Sequence, residues 1–209
     1  MPLFQGKDRT TLFVHIPKTG GSSVEAWLSR HTKMSLFSPL APAALKVCPQ
    51  HLPHSDLLLL LGEGAWDYAF AVVRNPYERL VSEFFFREPV VDGQQAVERV
   101  DFSAWVITHL QIRTRNPHYM DNHLRPQVEF LGAGVEVFRY EAGLGKAAAA
   151  VARHAAVPLD EPLPQLRSSK KCPVSFSNEA LALVNRVYAE DFSELGYEKR
   201  RQAVEFAGS

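Results

Sequence analysis

Apolar residues along this chain follow two rhythms. An apolar run at Leu12–Ile16, interrupted only by His15, reads as a buried strand, and the continuous apolar run Tyr68–Val73 reads as a strand buried on both faces. Elsewhere apolar residues recur at helical intervals: Val24, Trp27 and Leu28; Leu80, Val81, Phe84 and Phe85; Phe102, Trp105, Val106 and Leu110; Leu181, Val184, Val187 and Tyr188. Each helical stretch has a start signal. Ser22 or Ser23 stands near the N-cap of the first, Pro76 at the first position of the second, Asp101 before the third and Ser177 before the long last one. A Leu-rich helix opens at Ser55-Asp56 and ends at Gly62, and Leu144 to His154 is helical. Met34–Phe37 reads as a short second strand and Val135–Tyr140 as a third core strand. Strands alternating with helices predict an α/β fold whose mainly parallel sheet is covered by helices, with ligands at the carboxyl ends of the strands.

The polar joints at those ends carry the candidate chemistry. After Ile16 comes Pro17-Lys18-Thr19-Gly20-Gly21-Ser22-Ser23, which gathers backbone N–H groups, hydroxyls and one ammonium at a helix N-terminus. Such a turn suits a phosphate or another compact oxyanion. In a Walker A loop the Lys follows the glycines, whereas here Lys18 precedes Gly20-Gly21, which disfavours a generic ATPase or GTPase. At the end of the second buried run stands Arg74, whose planar fork suits phosphate, with Ser82 two helical turns further on. Pairing of Arg74 with a carboxylate such as Glu78 is the alternative.

Composition narrows the field. With 209 residues and 46% hydrophobic content the chain can bury a core as a single domain, 1–209. Its 23 basic and 23 acidic residues balance, so no global field favours nucleic acid or a membrane surface. No run is long enough to span a bilayer, and the N-terminus lacks a signal-peptide core. Cys48 and Cys172 fit a reducing compartment, and no metal-ligand spacing stands out.

His15-Ile-Pro-Lys-Thr-Gly-Gly-Ser-Ser23 and Val73-Arg-Asn-Pro-Tyr-Glu-Arg-Leu-Val-Ser82 together resemble the nucleotide-binding signature of sulfotransferases that use 3′-phosphoadenosine 5′-phosphosulfate (PAPS). The likeness is to the carbohydrate type, the heparan 2-O- and chondroitin sulfotransferases and their bacterial relatives. Weaker likenesses at Phe138-Arg-Tyr-Glu141 and Tyr188–Tyr197 carry it along most of the chain. The resemblance implies a P-loop-like three-layer fold and transfer of a sulfuryl group to a hydroxyl, without a metal, leaving the product nucleotide PAP. It implies that Lys18 touches the phosphosulfate, that Thr19, Gly20, Gly21, Ser22 and Ser23 hold the 5′-phosphate, and that Arg74 and Ser82 hold the 3′-phosphate. A late loop, Arg167-Ser-Ser-Lys-Lys171, would wrap the nucleotide through Ser169 and Lys170, or else be a solvated charge cluster. The short length implies a bacterial cytoplasmic enzyme without the stem and anchor of Golgi relatives.

The attacking hydroxyl needs a base, and His suits one because its pKa lies near neutrality. In the heparan 2-O type a Gly-His element supplies it; here Gln50-His51 keeps the His without the Gly, and His54 is the runner-up. His15 reads as a packed strand residue. His118 and His123, flanked by Arg113, Arg115 and Arg125, resemble an acceptor-side segment. A glycan, a lipid, a peptide tyrosine or a small metabolite could each be the acceptor. Two rival functions remain: a kinase with a divergent phosphate loop, for which Asp67 would be the nearest acid, and a PAP- or PAPS-binding module without transfer.

Overall fold

The structure is a computed structural model that describes residues 1–38, 40–88, 100–159, 163–164, 166, 172–203 and 205–206. The chain divides into two compact units. The first holds Met1–Arg74, Met120–His123 and the described residues from Glu129 to 166; the second holds Asn75–Tyr119, Leu124–Val128 and the described residues from 172 on.

The first unit is built on a five-stranded sheet: β1 (Leu3–Gln5), β2 (Thr10–Val14), β3 (Lys33–Ser35), β4 (Tyr68–Val73) and β5 (Val135–Arg139), in the order β3-β1-β2-β4-β5. β4 runs parallel to both β2 and β5, whereas β1 runs against β2 and β3. Four of the five strands therefore point the same way. The two continuous apolar runs became the central strands β2 and β4, as expected of residues buried on both faces. Phe13, Phe70 and Val72 point to one face. There they pack with Phe4 and with the inner sides of α1 (Gly21–Leu28) and α5 (Leu144–Ala155): Val24, Trp27, Leu28, Ala147, Ala148 and Val151. The alanine run in α5 lets that helix lie close on the sheet. α2 (His54–Leu61) completes the unit and ends at Gly62, where φ is positive.

Three expectations are corrected. Met1–Gln5 contributes a strand, β1, that its short length hid. Val135–Arg139 is not a core strand: it lies at the sheet edge, mostly exposed, because among the described residues no strand pairs beyond it. The cap of α1 is neither Ser22 nor Ser23 but Gly20, in a left-handed conformation.

The second unit contains α3 (Pro76–Arg87), α4 (Phe102–Arg115), α6 (Asn178–Val187), α7 (Ala189–Glu194) and a two-stranded ribbon of β6 (Val174–Ser175) and β7 (Glu205–Phe206). Pro76 opens α3, while Asp101 and Ser177 cap α4 and α6 by accepting from Ala104 N–H and Ala180 N–H. Phe84, Phe102, Trp105 and Phe176 form a chain of edge-to-face contacts at its centre. The single long last helix expected from Ser177 onward breaks at Tyr188, whose hydroxyl donates to the Leu124 carbonyl at 3.0 Å. Asp191 is buried there and accepts from the N–H groups of Gln127 and Val128.

Candidate active site

The loop after β2 is folded by its own residues. Lys18 takes a left-handed conformation (φ 70°) and Gly20 another (φ 90°), so the chain reverses tightly before entering α1. Thr19 is fully buried, and its hydroxyl donates to the Ile16 carbonyl at 2.8 Å, which braces the turn from within. Glycine is required at both following positions by close approach. A Cβ on Gly20 would lie 3.0 Å from Leu144 and 3.1 Å from Tyr140, and one on Gly21 would overlap the His15 ring. The N-terminus of α1 has no side-chain cap and no acidic residue in its first turn, so its positive end is not neutralised locally. Ser22 is half-buried at that end; Ser23 is buried and its hydroxyl accepts from the Leu166 N–H at 3.3 Å.

Arg74 leaves the carboxyl end of β4 beside this loop. Its Nη1 donates to the Lys18 carbonyl at 3.4 Å and its guanidinium lies 4.4 Å from the Tyr140 ring centroid. The two elements that sequence reading singled out are thus neighbours, because parallel pairing of β2 and β4 brings their carboxyl ends side by side. Ser82 lies half-buried on α3 in the second unit, and Ser169 and Lys170 lie outside the described residues.

A row of imidazoles runs from the loop. His15, at the end of β2, stacks on Phe13 and pairs through Nδ1 with the Glu25 carboxylate of α1. The His51 ring stands edge-on to His15 at 5.3 Å between centroids, and His123 stands edge-on to His51 at 4.9 Å. His51 sits in a short 3₁₀ turn, Pro49–His51, is 7% exposed, and meets the Asp121 carboxylate through Nδ1 at 2.7 Å. Burial, partly offset by the bond to Asp121, lowers its pKa to about 4. Burial pushes the Asp121 carboxyl up, but the bonds from His51 and the Cys48 N–H outweigh it and hold the group at about 2.

His54, the alternative base, is elsewhere. It opens α2, buried against Gly132 and edge-on to Trp66 at 5.4 Å. His118 and the three flanking arginines belong to the second unit.

Sequence reading missed Asp121, Glu25 and Tyr140. Asp121 is 70 residues from His51, and no local pattern links them. Tyr140 lay inside the Phe138–Glu141 likeness, which was its only signal. His51, Asp121 and His123 also form a set that sequence spacing did not reveal, with ligand atoms within 4.8 Å of one another, able in principle to take a metal ion. Within that set His51 Nδ1 and Asp121 Oδ2 lie at hydrogen-bond distance, 2.7 Å.

The fold is a mixed α/β unit with a mostly parallel central sheet flanked by helices, and the glycine-bearing turn after β2 lies at the carboxyl edge of that sheet. The chain belongs to the sulfotransferase family, whose model matches residues 2–198. No curated protein and no solved structure gives a match. Membership makes the protein a transferase of sulfuryl groups. Among the described residues no helix is long and apolar enough to cross a membrane.

Proposed function

We propose that the protein transfers a sulfuryl group from PAPS to a hydroxyl acceptor, a carbohydrate being the first candidate, with Lys18 and His51 as the catalytic residues. The observation that supports this most is the adjacency of Arg74 and the Lys18 turn at the carboxyl ends of paired parallel strands. The donor set fits a phosphate-rich nucleotide: an ammonium, an arginine fork and an uncapped helix N-terminus, with no acid in that helix's first turn. PAPS, when bound, supplies the sulfuryl group and a phosphate leaving group.

The residues then divide the work. Lys18 offers a compact positive charge to the negative charge that develops on the leaving phosphate. The N–H groups at Thr19, Gly20, Gly21 and Ser22 would hold the 5′-phosphate. Thr19 contributes through its backbone, since its hydroxyl is committed to Ile16. Arg74, stacked on Tyr140, presents a pre-set fork to the 3′-phosphate. Burial holds the His51 pKa near 4, below the near-neutral value expected from its residue type, so the ring is neutral above pH 5 and takes the acceptor's proton only as charge develops during transfer.

A kinase is the weaker reading. Asp67, the acid it would need, accepts from the Thr10 N–H at 2.7 Å, where β2 and β4 begin, at the opposite end of the sheet from the loop.

Titration calorimetry with PAP and, separately, with ATP and Mg²⁺ tests the donor. PAP binding without comparable ATP binding is expected; the reverse would overturn the proposal. His51→Ala should abolish turnover while PAP still binds. Lys18→Ala should slow turnover by about a hundredfold or more.

A further inference from the structure

Residues 120–122 are an unusual piece of chain. Met120, Asp121 and Asn122 all have left-handed backbones, with φ of 52°, 57° and 63°. Asn and Asp tolerate that region, Met does not, and such conformations persist only where surrounding contacts hold them. The turn is closed by the His123 N–H donating to the Met120 carbonyl at 3.1 Å.

What the turn grips is the segment carrying His51. Asp121 Oδ1 accepts from the Cys48 N–H at 2.6 Å, at the start of the 3₁₀ turn. Asp121 Oδ2 meets His51 Nδ1 at 2.7 Å, and Asn122 Nδ2 donates to the His51 carbonyl at 2.9 Å. Ring and backbone of one histidine are therefore held by two consecutive residues of one strained turn. An ionised carboxylate can only accept, so it requires the proton of the neutral ring to be on Nδ1. The lone pair is then on Nε2.

We infer that Asp121 is the positioning residue of the His51 base: clamped by the left-handed turn 120–122, it sets the Nδ1–H tautomer and presents Nε2 to the acceptor hydroxyl. This rests on the reading of His51 as base. In the step it serves, the acceptor oxygen bonds to sulfur while its proton passes to His51 Nε2. The bond between sulfur and the bridging oxygen breaks, and its electron pair leaves with the phosphate. The imidazolium is stabilised by Asp121 and later returns its proton to water. The groups around His51 are His15 from the end of β2 with its partner Glu25 from α1, His123 and Asp121 from the turn, and the thiol of Cys48 beside Asp121. Among these, Asp121 is the carboxylate bonded to the His51 ring.

Two readouts test this. Nitrogen-15 NMR of the ring in the wild-type protein at neutral pH should report Nδ1–H with Nε2 unprotonated; an Nε2–H ring would overturn the inference whatever the variants do. Asp121→Asn, Asp121→Glu and His51→Ala are then compared for PAP binding by calorimetry. Their turnover is compared with radiolabelled PAPS and a mixed pool of oligosaccharides, phenols and tyrosyl peptides. Asp121→Asn should keep PAP binding, lose turnover by about 10²- to 10⁴-fold, and show a mixed or reversed tautomer, while Asp121→Glu recovers part of the rate. Wild-type turnover in Asp121→Asn together with a dead His51→Ala would overturn the role of Asp121. Wild-type turnover in His51→Ala would instead remove the base reading on which it rests.

Discussion

The guanidinium of Arg74 is stacked 4.4 Å from the Tyr140 ring centroid while its Nη1 reaches the Lys18 carbonyl. One side chain thereby joins the end of β4, the residue after β5 and the anion loop. A lysine cannot reproduce either the planar stack or the fork. Arg74→Lys should weaken PAP binding by about tenfold or more in calorimetry, with Tyr140→Ala producing a smaller loss in the same direction. Unchanged affinity in Arg74→Lys would mean that Arg74 only braces the loop.

His51 and His54 are separated by three positions in sequence but have different surroundings in the fold. His54 is packed against Gly132 and Trp66, away from the imidazole row. His54→Ala should leave turnover within about twofold and cost stability, about 1–3 kcal/mol by denaturant unfolding, as expected for truncating a buried ring. A turnover loss as large as that of His51→Ala would reverse the assignment.

Gly21 has the His15 ring where a side chain would go. Gly21→Ala must displace that ring, at a cost of about 1–3 kcal/mol of overpacking. Lower unfolding stability and weaker PAP binding should appear together. If neither changes, the loop is looser than this contact implies.

Burial of His51 also couples stability to pH. Its folded pKa, about 4, lies below the ordinary value of 6.5, so between those values the unfolded chain takes up a proton that the folded one refuses. Stability therefore rises with pH across that window and is lost as pH falls from 6.5 to 4. Asp121, held at about 2, loses its own contribution only below its ordinary 3.8, so the two effects occupy different ranges. The His51 contribution is at most about 3 kcal/mol over the window. In His51→Gln, denaturant midpoints should fall less steeply between pH 6.5 and pH 4 than in the wild type. The N-terminal amine of Met1, lowered from 8.0 to about 4 by burial, contributes to the residual slope together with buried His54 and half-buried His109, both also lowered by desolvation.

Much of this was legible without coordinates, and the legible part was local. Two short apolar runs rich in Val, Phe and Ile between turn signals read as buried strands, and they are β2 and β4. Asp101, Ser177 and Pro76 mark helix starts because capping and a preset φ act within one turn of chain. The tight turn after β2 was visible because its glycines and Lys18 are contiguous. Where local rules misled, tertiary context had intervened. Gly20, crowded by Leu144 and Tyr140, caps α1 ahead of the serines, and α6 ends at Tyr188, whose hydroxyl bonds the Leu124 carbonyl.

By itself, then, the amino-acid order determined which segments become strands, helices and tight turns, since those depend on interactions across a few residues. Only the tertiary structure decided which of several histidines acquires a carboxylate, which ring lies under Arg74, and which strand stands at the sheet edge. Those outcomes depend on pairs such as His51 with Asp121 and Arg74 with Tyr140, brought together by sheet pairing and core packing, and no periodicity in the chain encodes a contact at that separation.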